Sequence, residues 1–495
     1  MNTRVTINRL ATGVPGLDEI LGGGLPEYSF NLIGGRPGSG KTTLAHQIMF
    51  ALATSERPAL YLTVLGEPPL KMLRYQQQFD FFDNEAINRS IRFANLSDEA
   101  MSGNLDRVLR HISAAVQAQG PALVFVDSFR ATLRANTRGD DHNRLQLFVQ
   151  KLGALMTSWL ATTFLVGEYF TDTDSSPVFT VADGLIWLRQ NMHHNTMVRQ
   201  MEVMKMRGQA TLPGLHHFRI GAAGLRVFPP PRVTPQVDSE AIARPSASRL
   251  LTGDTRLDEM LGGGLQRGHS LLVAGPSGSG KSILAATFLA EGARCGETGV
   301  IAVFEQQPHR TRNPVIAELI GKGLVGLVDS RAPDLSFDEI LLLLLGKIRQ
   351  LKASRVVIDS LSGFEIALAP IFREDFRESL LRMVTSLTDL GVTVVMTSEL
   401  EDRYTDLRFS PYGTAFLTDA IIVQRYIEVD SRLRRVMAVV KVRGSAHSDE
   451  LHEYSIGDDG IHIGGILADQ EGLLGGRPTK KRASHLLESA NRSNG

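Results

Sequence analysis

Two stretches of this 495-residue chain end a glycine-rich loop in a lysine followed by a hydroxyl: GGRPGSGKTT at 34–43 and AGPSGSGKSI at 274–283. Both satisfy G-x-x-x-x-G-K-[ST]. In that pattern glycines let the backbone close round a polyphosphate, while backbone N–H groups and a helix N-terminus favour its negative charge. The residues that would line the first cradle are Gly35, Pro37, Gly38, Ser39, Gly40, Lys41, Thr42 and Thr43. Those of the second are Gly275, Ser277, Gly278, Ser279, Gly280, Lys281, Ser282 and Ile283. Lys41 and Lys281 are expected to reach the β- and γ-phosphates, with Thr42 and Ser282 ligating Mg²⁺. A nucleoside triphosphate and Mg²⁺ are therefore the expected cofactors; the identity of the base is not in the motif.

A second metal-facing group should stand at the carboxyl end of a strand, where open α/β sheets bind ligands. Asp127 in LVFVD and Asp359 in RVVID end apolar runs in matching places, and both are expected to hold Mg²⁺ through water. Hydrolysis further needs a group that orients or deprotonates water. Glu67, in YLTVLGEPP, and Glu305, in VIAVFEQQP, follow the second strand of each half. Each could be that base, and each could equally be a helix-start carboxylate.

The elements that must position these groups are written twice. LATGVPGLDEILGGGL at 10–25 matches LLTGDTRLDEMLGGGL at 250–265, and VMKMRG matches VVKVRG further on. FRIGAAGLRVF at 218–228 matches YSIGDDGIHI at 454–463, in the same order. Repeats in one order mean a duplicated domain. The expected organisation is a first domain over 1–228, a Pro-rich linker over 229–248, a second domain over 249–467 and a flexible tail over 468–495. Within each copy, short β-branched runs alternate with helical stretches. This predicts an α/β fold: two P-loop domains, each a mostly parallel sheet with helices on both faces. The segment closing each copy, K-x-R-G and its Gly-bearing hairpin, should add antiparallel strands at one edge.

Composition narrows the function classes. Lys and Arg total 53, and so do Asp and Glu, which argues against a dedicated nucleic-acid binder. Cys295 is the only cysteine, so neither an internal disulfide nor a Cys-rich metal site is possible, which suits a reducing cytosol. No signal peptide is legible at the N-terminus. The most apolar run, ILLLLLGKI at 340–348, is too short for a membrane span and reads as a buried amphipathic helix. A cytoplasmic protein without membrane contact is expected. His193-His194 and His216-His217 show no third ligand by spacing and read as surface or loop histidines.

With its two glycine loops, the strand-end aspartates, LDEILGGGL ahead of the loop and K-x-R-G near the domain end, the chain resembles the KaiC and KaiC-like family over roughly residues 8–228 and 248–465. The resemblance implies tandem RecA-like domains and ATP between neighbouring subunits of a two-tiered homohexamer. It also implies weak ATPase activity, sometimes autokinase activity, and signalling or clock-type protein partners. Carried over by position, Lys205 and Arg207, and Lys441 and Arg443, would reach the adjacent subunit's nucleotide. His447 matches a nucleotide-facing histidine of the family; the first copy reads KMRGQAT and has none.

Two departures stand out. The clock members carry adjacent glutamates after the second strand, where this chain has LGEP and EQQP. Their phosphorylated Ser-Thr pair falls on Ala415 and Phe416 here, with Thr414 and Thr418 as nearby hydroxyls. The leading expectation is thus an ATP-binding, slowly hydrolysing regulatory ring. The alternatives are a serine/threonine autokinase, a non-catalytic ATP-dependent scaffold, and a DNA-processing motor using Arg130, Arg134, Arg138 and Arg144.

Overall fold

The computed structural model describes residues 7–63, 69–97, 104–127, 141–169, 177–193, 196–230, 248–304, 313–329, 335–400, 417–429, 431–457 and 460–466, with the pairs 470–471 and 479–480. The chain divides into two compact units, Met1–Pro230 and Pro231–Gly495.

In the first unit the strands are β1 (Phe30–Gly35), β2 (Ala59–Thr63), β3 (Ile91–Asn95), β4 (Leu123–Asp127), β5 (Thr162–Glu168), β6 (Gly184–His193), β7 (Thr196–Met206), β8 (His216–Gly221) and β9 (Gly224–Phe228). They form one nine-stranded sheet in the order β3-β2-β4-β5-β1-β6-β7-β8-β9. The first six of that order are parallel and the last three antiparallel. Strands β1, β2 and β4 are almost wholly buried, as near-continuous apolar runs covered on both faces should be.

The second unit repeats this plan with β10 (Ser270–Gly275), β11 (Gly299–Val303), β12 (Val325–Asp329), β13 (Arg355–Asp359), β14 (Thr393–Glu399), β15 (Ala420–Val429), β16 (Arg432–Val442), β17 (His452–Gly457) and β18 (Gly460–Ile466). Its order is β12-β11-β13-β14-β10-β15-β16-β17-β18, the same topology strand for strand. Each unit is thus a mostly parallel sheet with helices and an antiparallel edge, the architecture the repeats predict.

The leucine run becomes helix Phe337–Leu351. Ser336 caps it by accepting from Glu339 N at 3.2 Å, and Asp338 and Glu339 lie in its first turn. Ile340, Leu341, Leu344, Leu345 and Ile348 are buried, whereas Leu343 is exposed, so it is amphipathic as expected. Among the described residues no helix is long and apolar enough to cross a membrane.

One expectation fails. His216 and His217 are strand residues of β8, both buried. His217 stacks on Phe228 with ring centroids 5.6 Å apart, and a ring nitrogen of His216 lies 3.2 Å from Leu212 O. A strand exchanging backbone bonds with two neighbours leaves such side chains in the core. No group of three or more His, Cys, Asp or Glu able to hold a metal occurs among the described residues. In the terminal segment, Gln470–Glu471 pairs antiparallel with Thr479–Lys480. Such backbone pairing needs no apolar period.

Candidate functional site

Each glycine loop leaves the carboxyl end of the sheet's central strand and enters a helix: Lys41–Leu52 after β1, and Lys281–Arg294 after β10. The helix caps are Gly40 and Gly280, with φ of 101° and 96°, a region that strains any residue with a Cβ. A Cβ on Gly40 would also lie 2.6 Å from Ile220 Cδ1, and one on Gly280 would lie 2.9 Å from Ile456 Cδ1. The repeated IG of the closing hairpin is therefore the buttress under each loop. In the second unit Tyr454 adds a hydrogen bond from its hydroxyl to Ser279 O at 2.6 Å.

A cavity of about 380 Å³ opens above the first loop, lined by Gly38, Gly40, Lys41, Thr42, Thr43 and Asp127 among others. Its counterpart, about 290 Å³, is lined by Ser277, Gly278, Gly280, Lys281, Ser282, Ile283 and Asp359. Ser39 and Ser279 are fully buried beneath the loops. Lys41 Nζ donates to Arg36 O at 2.8 Å; Lys281 Nζ donates to both Gly275 O at 2.9 Å and Pro276 O at 2.8 Å. Burial pulls both ammonium groups below the ordinary lysine range, opposed by nearby carboxylates.

Those carboxylates include two that the motifs do not name. Glu168 ends β5 and Glu399 ends β14, each paired with the glycine that opens the loop, Gly35 or Gly275. Both line the cavities, and both bear on the loop lysine more strongly than Asp127 or Asp359. Their signal in the sequence was the repeat itself. They lie 231 positions apart, against 232 for the two aspartates, so the same acidic strand end is written twice.

The Mg²⁺ donors expected in the first unit stand together. Thr42 Oγ1 donates to Asp127 Oδ2 at 2.9 Å, and the Tyr61 hydroxyl donates to the same oxygen at 2.7 Å. Burial raises Asp127 above the ordinary carboxylate range, against these hydrogen bonds. In the second unit Ser282 and Asp359 line one cavity, and Thr397 Oγ1 donates to Asp359 Oδ1. A hydroxyl and a carboxylate at a helix N-terminus are hard oxygen donors, the set that fits Mg²⁺. Glu67 and Glu305 lie outside the described residues, as do Arg130, Arg134, Arg138, Thr414, Ala415 and Phe416. Thr418 is fully buried.

The K-x-R-G residues stand elsewhere. The β6–β7 ladder slips between Leu185 and Ile186, and the β15–β16 ladder slips at the matching place, between Ile421 and Ile422. Bulges of this kind re-aim side chains. Lys205 Nζ donates to Phe179 O at 3.3 Å and Thr180 O at 3.2 Å; Arg207 pairs with Asp183 at 3.1 Å. Asp183 also accepts from Phe30 N, at the amino end of β1. Likewise Lys441 Nζ donates to Thr418 O at 2.6 Å, and Arg443 pairs with Asp419 at 3.4 Å. Asp419 in turn accepts from Ser270 N, where β10 begins. Each basic pair therefore lies at the amino end of the strands, opposite its own glycine loop. His447, half-buried, follows in the same loop as Arg443.

Comparison with known proteins agrees with this geometry. The family described as "ATPase: KaiC" matches residues 10–232 and 250–467. The circadian clock oscillator protein KaiC of Rippkaea orientalis is 27% identical over 97% of this chain and 93% of its own length. KaiC 1 of Synechocystis sp. is 27% identical over 96% and 93%, and KaiC of Thermosynechococcus vestitus 25% identical over 98% and 94%. The chain belongs to the KaiC family of ATPases.

Proposed function

We propose that this chain binds ATP at both glycine loops, hydrolyses it slowly, and assembles as a ring, a hexamer on the family's pattern, with nucleotide between subunits. The observation that carries this reading is the repeated polarity of the two units. Each has a phosphate cradle with lysine, hydroxyl and aspartate at one end of the sheet. Each has a Lys-Arg pair at the other end, where it cannot serve its own loop. A head-to-tail neighbour would bring Lys205 and Arg207, or Lys441, Arg443 and His447, to the open side of a cavity. Heterologous contacts of that kind form a ring where the rotation between copies closes.

At each site the loop N–H groups and Lys41 or Lys281 hold the phosphates. Thr42 with Asp127, and Ser282 with Asp359, would hold Mg²⁺, which when bound offsets charge on the β- and γ-oxygens. Glu67 and Glu305 are the proposed water-orienting groups. Glu168 and Glu399 balance the loop lysine. Nucleotide state is then felt by cations of the adjacent subunit, a switch suited to a cytoplasmic regulatory protein with signalling or clock-type partners.

Complementation tests the interface. One variant lacks both loop lysines (Lys41→Ala, Lys281→Ala). The other lacks the basic pairs (Lys205→Ala, Arg207→Ala, Lys441→Ala, Arg443→Ala). Neither alone should release phosphate from ATP, whereas mixed assemblies should regain part of the turnover. Activity retained by the second variant, or no recovery on mixing, refutes nucleotide sharing between subunits. Size-exclusion with and without ATP, and γ-labelled ATP, distinguish a ring ATPase from a scaffold without turnover or an autokinase that keeps the label.

A further inference from the structure

The two metal-facing aspartates occupy equivalent places but are held from opposite sides. In the first unit β4, which ends in Asp127, lies between β2 and β5. The supporting hydroxyl comes from β2: Tyr61, fully buried, donates to Asp127 Oδ2 at 2.7 Å. In the second unit β13, which ends in Asp359, lies between β11 and β14. There the hydroxyl comes from β14: Thr397, also fully buried, donates to Asp359 Oδ1.

The register shows that this is a true exchange. Tyr61 stands two residues before Thr63, the partner of Asp127 across the ladder; Ile301 stands two before Val303, the partner of Asp359. On the other flank Val166 is the ladder partner of Asp127, two residues before Glu168. Thr397 is two residues before Glu399. The first unit therefore reads Tyr and Val where the second reads Ile and Thr. Each copy supplies one hydroxyl and one apolar side chain, with the flanks reversed.

A buried hydroxyl left without an acceptor is costly, so neither donor is incidental packing. In the first unit Thr42 bonds the same oxygen as Tyr61, at 2.9 Å. Thr42 would also be a ligand of the metal, which leaves Tyr61 as the donor whose one role is to orient the Asp127 carboxylate. Metal sites depend on such outer hydrogen bonds for the orientation of their ligands.

We propose that Tyr61 in the first copy and Thr397 in the second are the positioning residues of the metal-binding aspartates, making the two sites separately tunable in their affinity for the divalent cation. This rests on the ATP- and Mg²⁺-binding reading above. The full-length chain is tested with one site silenced at a time. In the Lys281→Ala background, Tyr61→Phe keeps the ring and removes only the hydroxyl. In the Lys41→Ala background, Thr397→Val removes the hydroxyl at constant shape, and Thr397→Ser returns it.

The readouts are binding of a fluorescent ATP analogue as Mg²⁺ is titrated, and Mn²⁺ binding by electron paramagnetic resonance with ADP present. Tyr61→Phe and Thr397→Val should each raise the cation concentration for half-maximal binding about tenfold, the scale of one hydrogen bond to a charged group. Nucleotide affinity without cation should be unchanged, and Thr397→Ser should restore the parental dependence. A lower melting temperature with an unshifted cation dependence in both variants would make the hydroxyls merely structural and overturn the assignment. Thr397→Ser behaving like Thr397→Val would overturn it too. Absence of any cation-dependent nucleotide binding by the parent chain would instead overturn the underlying reading, and this assignment with it.

Discussion

Replacing the loop lysines separately, Lys41→Ala and Lys281→Ala, should remove one nucleotide site each, and unequally. An ammonium reaching two phosphates gains about 1.5–3 kcal/mol per charge-assisted hydrogen bond. Against that gain stand the bonds it gives up. Lys41 leaves one loop carbonyl, Arg36 O, whereas Lys281 leaves two, Gly275 O and Pro276 O. Those carbonyl bonds are charge-assisted as well; with about 2.5 kcal/mol for each phosphate bond and about 1.5 kcal/mol for each carbonyl bond, the lysine contributes about 3.5 kcal/mol at the first site and about 2 kcal/mol at the second. Those figures correspond to affinity losses of roughly 400-fold and 30-fold.

Equilibrium binding of a fluorescent ATP analogue with Mg²⁺ reads both effects, and stoichiometry near the parental dissociation constant should fall from two to one per chain. Stability supplies the control. Burial depresses both lysines, so the unfolded chain binds the proton more tightly and the charged lysine lowers folded-state stability at neutral pH. Alanine relieves that penalty, and the nucleotide-free melting temperature should not fall. Two sites with unchanged affinity in either variant, or a loss accompanied by unfolding, would refute the assignment of these loops.

Three further outcomes follow from the structure. Burial depresses His46 to about 3, so the unfolded state alone takes up a proton between pH 6.5 and 3. The first unit should lose up to about 5 kcal/mol across that window; hydrogen exchange should show it opening first in acid, and His46→Leu should flatten the slope. Arg355, 1% exposed, bonds Glu297 at 2.7 Å and the carbonyls of Leu251 and Phe288 at 2.8 Å. Arg355→Met should cost about 3–5 kcal/mol in denaturant unfolding of the second unit, and a cost under about 1 kcal/mol would show that Arg267 alone satisfies Glu297. Glu168→Gln removes a negative charge beside the phosphate cavity and should tighten ATP binding by roughly 1 kcal/mol at low salt; weaker binding would mean that Glu168 holds the lysine or the metal productively.

How much of this was legible in the sequence depends on which contacts are local. The glycine loops need only eight consecutive residues and a following helix, and the strand-end aspartates only an apolar run, so both could be placed from spacing. The repeated order of motifs carried the sheet plan, including the antiparallel edge. Glu168 and Glu399 were passed over because an acid after a strand is common, and only the register against Gly35 and Gly275 aims them at the lysine. The histidines of β8 misled for the opposite reason. Polar residues near a glycine read as loop until the ladder with β7 and β9 shows them enclosed.

The polarity of the K-x-R-G pair was beyond spacing altogether, because it depends on the strand direction in which the motif is read. Lys205 and Lys441 close strands running antiparallel to the one that delivers the glycine loop, so they end at the sheet's amino edge. Partial burial and the adjacent arginine hold each of these lysines below the ordinary range. Two cations kept side by side repel one another, and a further anion eases that repulsion. Among the described residues of its own unit, no phosphate cradle lies at that edge. On the proposed reading, a triphosphate brought there by another copy would relieve that repulsion and so favour assembly when nucleotide is bound. Assembly that tightens with ATP and loosens at high salt would bear this out, while rings indifferent to both would place the driving force elsewhere.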